Sequence, residues 1–484
     1  MRIYSIIMLL FLFSCNQFPE KEENPKTDSS IKISNIEPRT TENGEIVDVH
    51  DGRVIQFGDT YYWYGTAYGT TNGFTKQNYY QCYSSKDLTS WKKEGRLLPN
   101  QPEGTYYRPH VIYNKATKKY VLWYNWYPKL WDGQFGVAIS DNPQGPFAIV
   151  NDNIPMKRSD VGLGDFGLFV DDDQTAYISY NTIQNHQVSI EKLNPDYTGS
   201  TLENGGIIAE HMEAGSQFKR NGKYYLLTDY TCCFCNYGSG ARVYISDSPL
   251  SGYKLTGNIN RYPGELQSVL TDTKKRGTRY ATIQEKDSIF ESLQLAFDKP
   301  SEISELKLYQ FTGNRPEKCG NVENPRVHPE IGNPEFELEY WDISEWKPVK
   351  LTSSKIEKSA LQQQLMLQIE GITTSKLKLT PKSGYNFDAI FLNEIEVGNS
   401  AFSAFKTGRG IRQKPIIPAQ QTYVMQLQTA NGSEYIWMGD LWGSASDNVK
   451  GHDYQYWSAP LQFNEDGTIQ PMRWMDEWTF TPKN

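Results

Sequence analysis

Asp51, Asp165 and Glu213 are the residues of this sequence best placed to do chemistry. Each heads a segment of the same plan: an apolar strand, a polar turn, then a Tyr-rich strand. The segments are Asp51–Tyr64 (DGRVIQFGDTYYWY), Asp165–Tyr180 (DFGLFVDDDQTAYISY) and Glu213–Tyr230 (EAGSQFKRNGKYYLLTDY). A fourth, Arg108–Tyr124 (RPHVIYNKATKKYVLWY), has a basic head. In the Glu213 segment the turn is Arg220-Asn221-Gly222-Lys223, and Asn-Gly supplies the positive φ of a tight hairpin. A carboxylic acid and a carboxylate on opposite sides of a bond can protonate a leaving oxygen and activate water. If the three heads converge, the chemistry is acid–base cleavage of a sugar linkage.

The elements that must position these heads repeat. The second-strand tyrosines Tyr62, Tyr120, Tyr177 and Tyr225 recur about every fifty residues, the spacing of four short strands per blade of a β-propeller. Third-strand echoes follow at Tyr83-Ser84-Ser85-Lys86-Asp87, Ala138-Ile139-Ser140-Asp141 and Tyr244-Ile245-Ser246-Asp247. Four units end near residue 263. A further Tyr-rich strand, Glu434–Trp442, with Tyr456–Phe463 and Trp474–Phe480 as outer strands, reads as a fifth blade over 413–484. The stretch between, about 264–412, has charged alternating strands: Leu295–Pro300, Ile303–Tyr309, Phe336–Trp346, Ser375–Leu379 and Leu392–Val397. Its LNEIEV ending and the Trp341-Asp342…Trp346 turn resemble a discoidin-like β-sandwich, a fold of many carbohydrate-binding modules; whether it binds glycan is open. The expected fold is therefore all-β, a five-bladed β-propeller (41–263 and 413–484) with a β-sandwich inserted before or within the fifth blade.

Composition agrees with an all-β chain of 484 residues and narrows the partners. Aromatics make up 13%, with 32 Tyr and 12 Trp, residues that form strands well and also pack on sugar faces. The net charge of −8 and the lack of a basic block argue against nucleic acid. Arg2 followed by the apolar run Ile6–Phe13 and Leu12-Phe13-Ser14-Cys15 resembles a bacterial lipoprotein signal (1–15), with Cys15 the lipidated residue. Residues 16–40, polar and Pro-containing, read as a flexible tether. The expected address is an exported lipoprotein, periplasmic or on the outer-membrane surface, touching membrane only through that lipid. Cys82, Cys232, Cys233, Cys235 and Cys319 then face an oxidising compartment. A disulfide pinning the Cys232-Cys233-Phe234-Cys235 loop is expected, with Cys82 a candidate partner; no fourth ligand of familiar spacing supports a metal there.

The propeller segments resemble glycoside hydrolase family 43, five-bladed inverting enzymes. The resemblance covers about 45–260 and 415–480. It rests on Asp51-Gly52-Arg53-Val54-Ile55, on Asp165 ahead of Phe169 and the Asp171-Asp172-Asp173 turn, and on Glu213 heading the fourth unit. It implies that Asp51 is the catalytic base, Asp165 the residue that tunes pKa and orients sugar, and Glu213 the general acid. Asp160 is a rival for the tuner, at the wrong spacing. Inversion asks for base and acid roughly 6.5–9.5 Å apart, with water between. A third carboxylate would raise Glu213's pKa by like-charge repulsion. Loops after the second strands should rim the pocket: Thr66–Gly73, Asn125–Gly133, Asn181–Gln187 and Thr231–Ser239. They carry Tyr68, Trp126, Trp131, His186 and the cysteine cluster, with Trp126 and Trp131 the first choices for stacking on sugar; Arg108 is placed to bind a hydroxyl.

Within the family the wording is similar to the exo-acting galactan 1,3-β-galactosidases. Tyr61-Tyr62-Trp63-Tyr64-Gly65, Arg108-Pro109, Glu213-Ala214…Phe218-Lys219-Arg220-Asn221-Gly222-Lys223 and Met438-Gly439-Asp440-Leu441-Trp442 carry that likeness. That group has Gly at the position of Asp51 and Glu at that of Tyr107; its last-blade Gln corresponds to Gln420 or Gln421. The implied activity is exo-acting, inverting release of terminal sugars from galactan or arabinogalactan side chains, β-galactosidase-like. β-Galactofuranosides, α-L-arabinofuranosides and β-xylosides stay open as substrates. The alternative is a surface glycan-binding lipoprotein without turnover. No cofactor is required; the resemblance allows Ca²⁺ in the central channel, for which the sequence shows no demanding ligand set.

Overall fold

The computed structural model describes residues 30–158, 162–230, 233–234, 241–260 and 292–483, apart from 312–316, 320–321, 325–334, 360, 384–389, 399, 401–402, 407–410 and 414. Cys15, Asp160, Cys232 and Cys235 lie outside the described residues, and so do the signal and most of the tether.

The described chain is all-β, and its first half is four successive meanders. The first has His50–Phe57, Thr60–Ala67, Tyr79–Ser85 and Ser90–Arg96, with Thr40–Thr41 added in parallel. The second has Thr105–Asn114, Lys119–Tyr127, Gln134–Ser140 and Ala148–Asn151; the third Leu163–Val170, Ala176–Thr182, Val188–Leu193 and Ser200–Ala209; the fourth Met212–Arg220, Lys223–Tyr230, Arg242–Ser246 and Lys254–Asn258. A fifth sheet comes from Gln420–Thr429, Gly432–Leu441 and Tyr454–Trp457. The first strands of the five sheets touch one another in a closed ring, so every head residue faces one axis. The Arg220–Lys223 pair closes the two-residue turn expected there, with Asn221 and Gly222 at φ +49° and +76°.

Neighbouring sheets bury their faces on each other. Trp63, Trp91 and Trp457 meet between the first and fifth sheets, and Trp123, Phe135, Phe166 and Tyr180 between the second and third. Each such side chain fully buried adds roughly 1.5–3 kcal/mol. The tether ends earlier than expected: Ile31–Ser34 pairs with Glu477–Phe480. Glu477–Phe480 therefore closes the chain ends together instead of extending the fifth sheet. Buried Ile33 and the Asn35 side chain, which donates to the Trp457 and Met475 carbonyls at 3.0 Å, seal that closure.

The inserted region forms one seven-stranded sheet around its own core of Leu, Ile and Val. The two segments expected at 295–309 are one strand, Leu293–Phe311, broken in register near Ala296/Ser301 and Ile303/Glu305. It pairs along much of its length with Gln362–Ser383. Two residues of the LNEIEV stretch touch the fifth sheet's surroundings: Asn393 Nδ2 donates to the Pro415 carbonyl, and Glu394 Oε2 accepts the Trp474 N–H, both at 2.9 Å.

Candidate active site

Each first strand is bulged at its head. Register slips at His50/Arg53, Tyr107/His110, Leu163/Phe166, Glu213/Ser216 and Gln421/Tyr423. A bulge adds an unpaired residue and re-aims its side chain. Asp51, Arg108 and Asp165 sit inside three of these bulges, and Glu213 opens the fourth. Asp51 and Arg108 take φ +53° and +49°, a region side chains occupy at a cost that the surroundings must cover. Gly215 is required by close approach: a Cβ there would lie 1.9 Å from the Leu227 carbonyl oxygen.

Polar residues ending the second strands hold the bulges. Asp440 Oδ2 accepts the Asp51 N–H at 2.7 Å, and an Asp229 oxygen accepts the Gln421 N–H at 2.7 Å. Asn125 Nδ2 donates to the Leu163 carbonyl at 3.2 Å. In each case the end of one sheet pins the head of the next. His50 stands 3.4 Å from Asp440; burial would lower its pKa, but the bond to Asp440 and the charges of Asp440, Asp48 and Asp453 outweigh this and raise it to about 9. His50 is thus a buried cation at neutral pH, balancing Asp440.

Asp51, Asp165 and Glu213 line one cavity of about 220 Å³, together with Arg108, Gln420, Asn181 and His186. Asp51 and Glu213 are almost wholly buried, and Asp165 is partly exposed. Arg108 Nε donates to Asp165 Oδ1 at 2.8 Å and its NH1 to the Gln421 carbonyl at 3.1 Å. Burial works against the charge on Arg108, yet Asp165, Asp51, Glu213 and Asp229 raise its pKa above the ordinary arginine value. Arg108 is therefore a clamp on the carboxylates. Gln420 Nε2 donates to Glu213 Oε2 at 3.3 Å while its Oε1 accepts the Trp442 indole N–H at 2.8 Å, which sets the rotation of the Glu213 carboxyl.

Asp51 is the group whose titration is most informative. Burial pushes its pKa up to about 6; Arg108 and the Tyr68 hydrogen bond hold it down, while the charges of Asp440 and Asp165 add to the rise. Above about pH 6 it is a carboxylate with enough basicity to take a proton from water.

Several side chains lie elsewhere than the sequence suggested. Trp126 does not reach the cavity: it is still within the strand Lys119–Tyr127, buried against Tyr106 with its indole N–H on the Asp152 carbonyl at 2.6 Å. Tyr68 does not line the cavity either; it lies beneath Asp51 and donates its hydroxyl to Asp51 Oδ2. Gln421 turns away, its amide donating to the Leu227 carbonyl at 3.0 Å. Cys82 is not a partner for the loop cysteines; it is a thiol buried among Tyr64, Leu122 and Ala138. Trp131 and His186 do line the cavity, and Trp131 remains 47% exposed at its mouth.

Most of the remaining wall comes from the loops expected to rim the pocket; Phe74 and Tyr107 lie outside them. Phe74, Tyr107, Tyr127, Ile183, Cys233 and Phe234 complete the lining. Phe234 packs edge-on against Tyr68, Phe74 and Trp442, with Lys450 Nζ 3.8 Å over its ring. Tyr107 donates its hydroxyl to the Gly73 carbonyl at 3.0 Å. Its place just before Arg108, where the resembling group has Glu, was the available signal.

A ring of sheets thus presents buried acids, a guanidinium clamp and aromatic walls to one small cavity, an arrangement able to do acid–base chemistry. Residues 46–265, somewhat less than half of the chain, match the family described as glycosyl hydrolases family 43. Solved structures share the fold across 92–93% of this chain. They include 1,3Gal43A, an exo-β-1,3-galactanase from Clostridium thermocellum (20% identity, TM-score 0.52). The β-1,3-galactosidases BT3683, with galactodeoxynojirimycin (18%, 0.53), and BT0265 (19%, 0.52) are others. The chain spans 66%, 99% and 64% of those three chains, respectively, thus just under two thirds of the first. No curated protein matches the chain by sequence.

Proposed function

We propose that the protein is an exo-acting, inverting glycosidase that removes terminal sugars from galactan or arabinogalactan-type side chains. One observation carries the reading: Asp51, Asp165 and Glu213, from three different sheets, line a single small cavity clamped by Arg108. In this account Asp51 takes a proton from water as the water oxygen bonds to the anomeric carbon. Glu213 gives its proton to the departing glycosidic oxygen on the other face, and the C–O bond breaks toward that oxygen. Both protonation states are restored through solvent. Asp165, paired with Arg108, orients the sugar and adds negative charge beside the acid.

The size of the cavity supports an exo mode, because about 220 Å³ suits one terminal ring. Trp131 and Leu130, both exposed at the mouth, are positioned to meet the next sugar. The ring of sheets reads as a five-bladed propeller, and the inserted region as a discoidin-like accessory module. Residues 1–15 are assigned as the export signal and Cys15 as the lipid anchor that holds the enzyme in the periplasm or on the outer-membrane surface. β-1,3-Galactosides are the first substrates to test, since the similar solved proteins include an exo-β-1,3-galactanase and β-1,3-galactosidases.

The test is release of monosaccharide from aryl glycosides and arabinogalactan oligosaccharides by the wild type and by Glu213→Gln. The account expects cleavage of one glycoside class and a loss of roughly 10²–10⁴-fold in the variant, the usual worth of a general acid. Unchanged activity in the variant would remove Glu213 from its role. Binding without release by the wild type would leave a glycan-binding protein instead.

A further inference from the structure

Arg53 lies two residues beyond Asp51 on the same first strand, and it is fully buried. Asp51 lines the acidic cavity, while Ile55 lines a second cavity of about 960 Å³ that also takes in His110, Leu168 and Tyr423. Arg53 stands between the two along the strand. Its guanidinium reaches across the ring: NH1 donates to the Pro109 carbonyl at 3.1 Å, and NH2 to the Phe166 carbonyl. Its Cζ lies 5.1 Å from the centre of the Phe166 ring, and its Nε–H has no hydrogen-bond partner. Among the described ion pairs none involves Arg53. A buried charge is costly unless something compensates it, so an unpaired guanidinium calls for an explanation.

The surroundings do not suit a metal ion. The carbonyls of Pro109 and Phe166 already accept hydrogen bonds from Arg53. His110, the nearest imidazole, accepts the Leu168 N–H on Nδ1 at 2.9 Å. Burial and the Arg53 charge keep His110 neutral, so its proton sits on Nε2 and no lone pair is left for a metal. Among the described residues no group of three or more His, Cys, Asp or Glu is arranged to hold a metal. A second cation beside Arg53 would also be repelled.

We propose that the Arg53 guanidinium serves as the ring interior's own cation in place of a metal ion and, by holding the Pro109 and Phe166 carbonyls, acts as a positioning residue for the neighbouring Arg108 and Asp165. The Arg108 charge opposes that of Arg53, while the charges of Asp165 and Asp51 favour it. Burial lowers the Arg53 pKa to about 9, which still leaves it charged at neutral pH. The part concerning catalysis rests on the glycosidase reading above; the part concerning metal does not.

The test uses the full chain. After dialysis against a chelator, bound metal is counted by mass spectrometry and thermal stability is compared with and without added Ca²⁺. The proposal expects metal well below one ion per chain and a Tm that neither treatment moves. The kcat/KM–pH profile is then compared for wild type, Arg53→Met and Arg53→Lys. Removing a unit charge that favours ionised Asp51 should move the acid limb of Arg53→Met to higher pH, by a few tenths of a unit to about one unit. Arg53→Lys, which keeps the charge, should leave the limb within a fraction of a unit. A stoichiometric ion whose removal lowers Tm would overturn the proposal, and so would a folded Arg53→Met with an unmoved limb. If Arg53→Met does not fold, a limb displaced in Arg53→Lys by as much as one unit would refute it. Metal content and Tm need no substrate, so failure of the glycosidase reading shows separately, as absence of turnover.

Discussion

Replacing Tyr68 by Phe probes the base without touching the sugar. The hydroxyl donates to Asp51 Oδ2, and the ring packs against Phe234 and Trp442, so the change removes one hydrogen bond and keeps the packing. A hydrogen bond to a charged group is worth about 1.5–3 kcal/mol. At 1.36 kcal/mol per pKa unit, losing it raises the Asp51 pKa by about 1–2 units. The starting value is about 6, so the acid limb of kcat/KM should move to about 7–8. At pH 6 the variant should be slower by roughly 5–50-fold, with the gap closing as pH rises. Stability follows the same sign. A carboxyl whose folded pKa exceeds its unfolded value favours folding while it is protonated, and loses that contribution as pH climbs between the two values. In the wild type the loss occupies the window from about 4 to about 6; in Tyr68→Phe it extends to about 7–8. Tm of the variant should therefore be close to wild type at pH 5 and lower at pH 8. Initial-rate profiles from pH 4 to 9 and melting curves at the two pH values measure this. An acid limb that overlays the wild type would refute the assignment of Asp51 as the titrating base.

Two further changes separate site from scaffold. Trp131→Ala should raise KM several-fold for oligosaccharides and change aryl monosaccharide hydrolysis little, because the exposed indole stands at the mouth of the cavity. Trp126→Ala should instead cost about 3–5 kcal/mol of stability with KM unchanged in the folded fraction, as read by urea unfolding and steady-state kinetics. Glu394, at the contact between inserted region and fifth sheet, has its pKa raised to about 8 by burial, opposed by the Trp474 N–H. It holds its proton in the folded state, so its contribution to stability falls as pH rises from about 4.5 to about 8. Glu394→Gln keeps an acceptor for Trp474 and should melt several degrees above wild type at pH 8.5, with no difference at pH 4.

The repeat and its carboxylate heads were legible because strand period, turn chemistry and head residue agree within each unit. Asn221-Gly222 marks its hairpin, and the spacing of Tyr62, Tyr120, Tyr177 and Tyr225 marks the sheets. What escaped depended on local direction. Trp126 was assigned to a loop, but the strand runs two residues past Asn125, so the indole faces the neighbouring ring of Tyr106. Gln420 and Gln421 are adjacent on a strand, and alternation sends one to Glu213 and the other to the Leu227 carbonyl. Tyr68 looked like a rim residue because the fold-back that places it under Asp51 leaves no periodic trace. Asp229 and Asp440 were readable only once each was seen to pin the next sheet's bulge. The long strand Leu293–Phe311 was divided in two because Lys299-Pro300 resembles a strand end; the register breaks there while the strand continues.

The most direct test of the account is the configuration of the sugar first released. Proton NMR of the wild-type reaction on its best substrate, recorded before the sugar mutarotates, reads the anomeric centre. A water delivered by Asp51 opposite a leaving group protonated by Glu213 gives first the anomer opposite to that of the substrate, an α sugar from a β-glycoside. Initial appearance of the same anomer as the substrate would mean a covalent intermediate and a different division of labour among Asp51, Asp165 and Glu213.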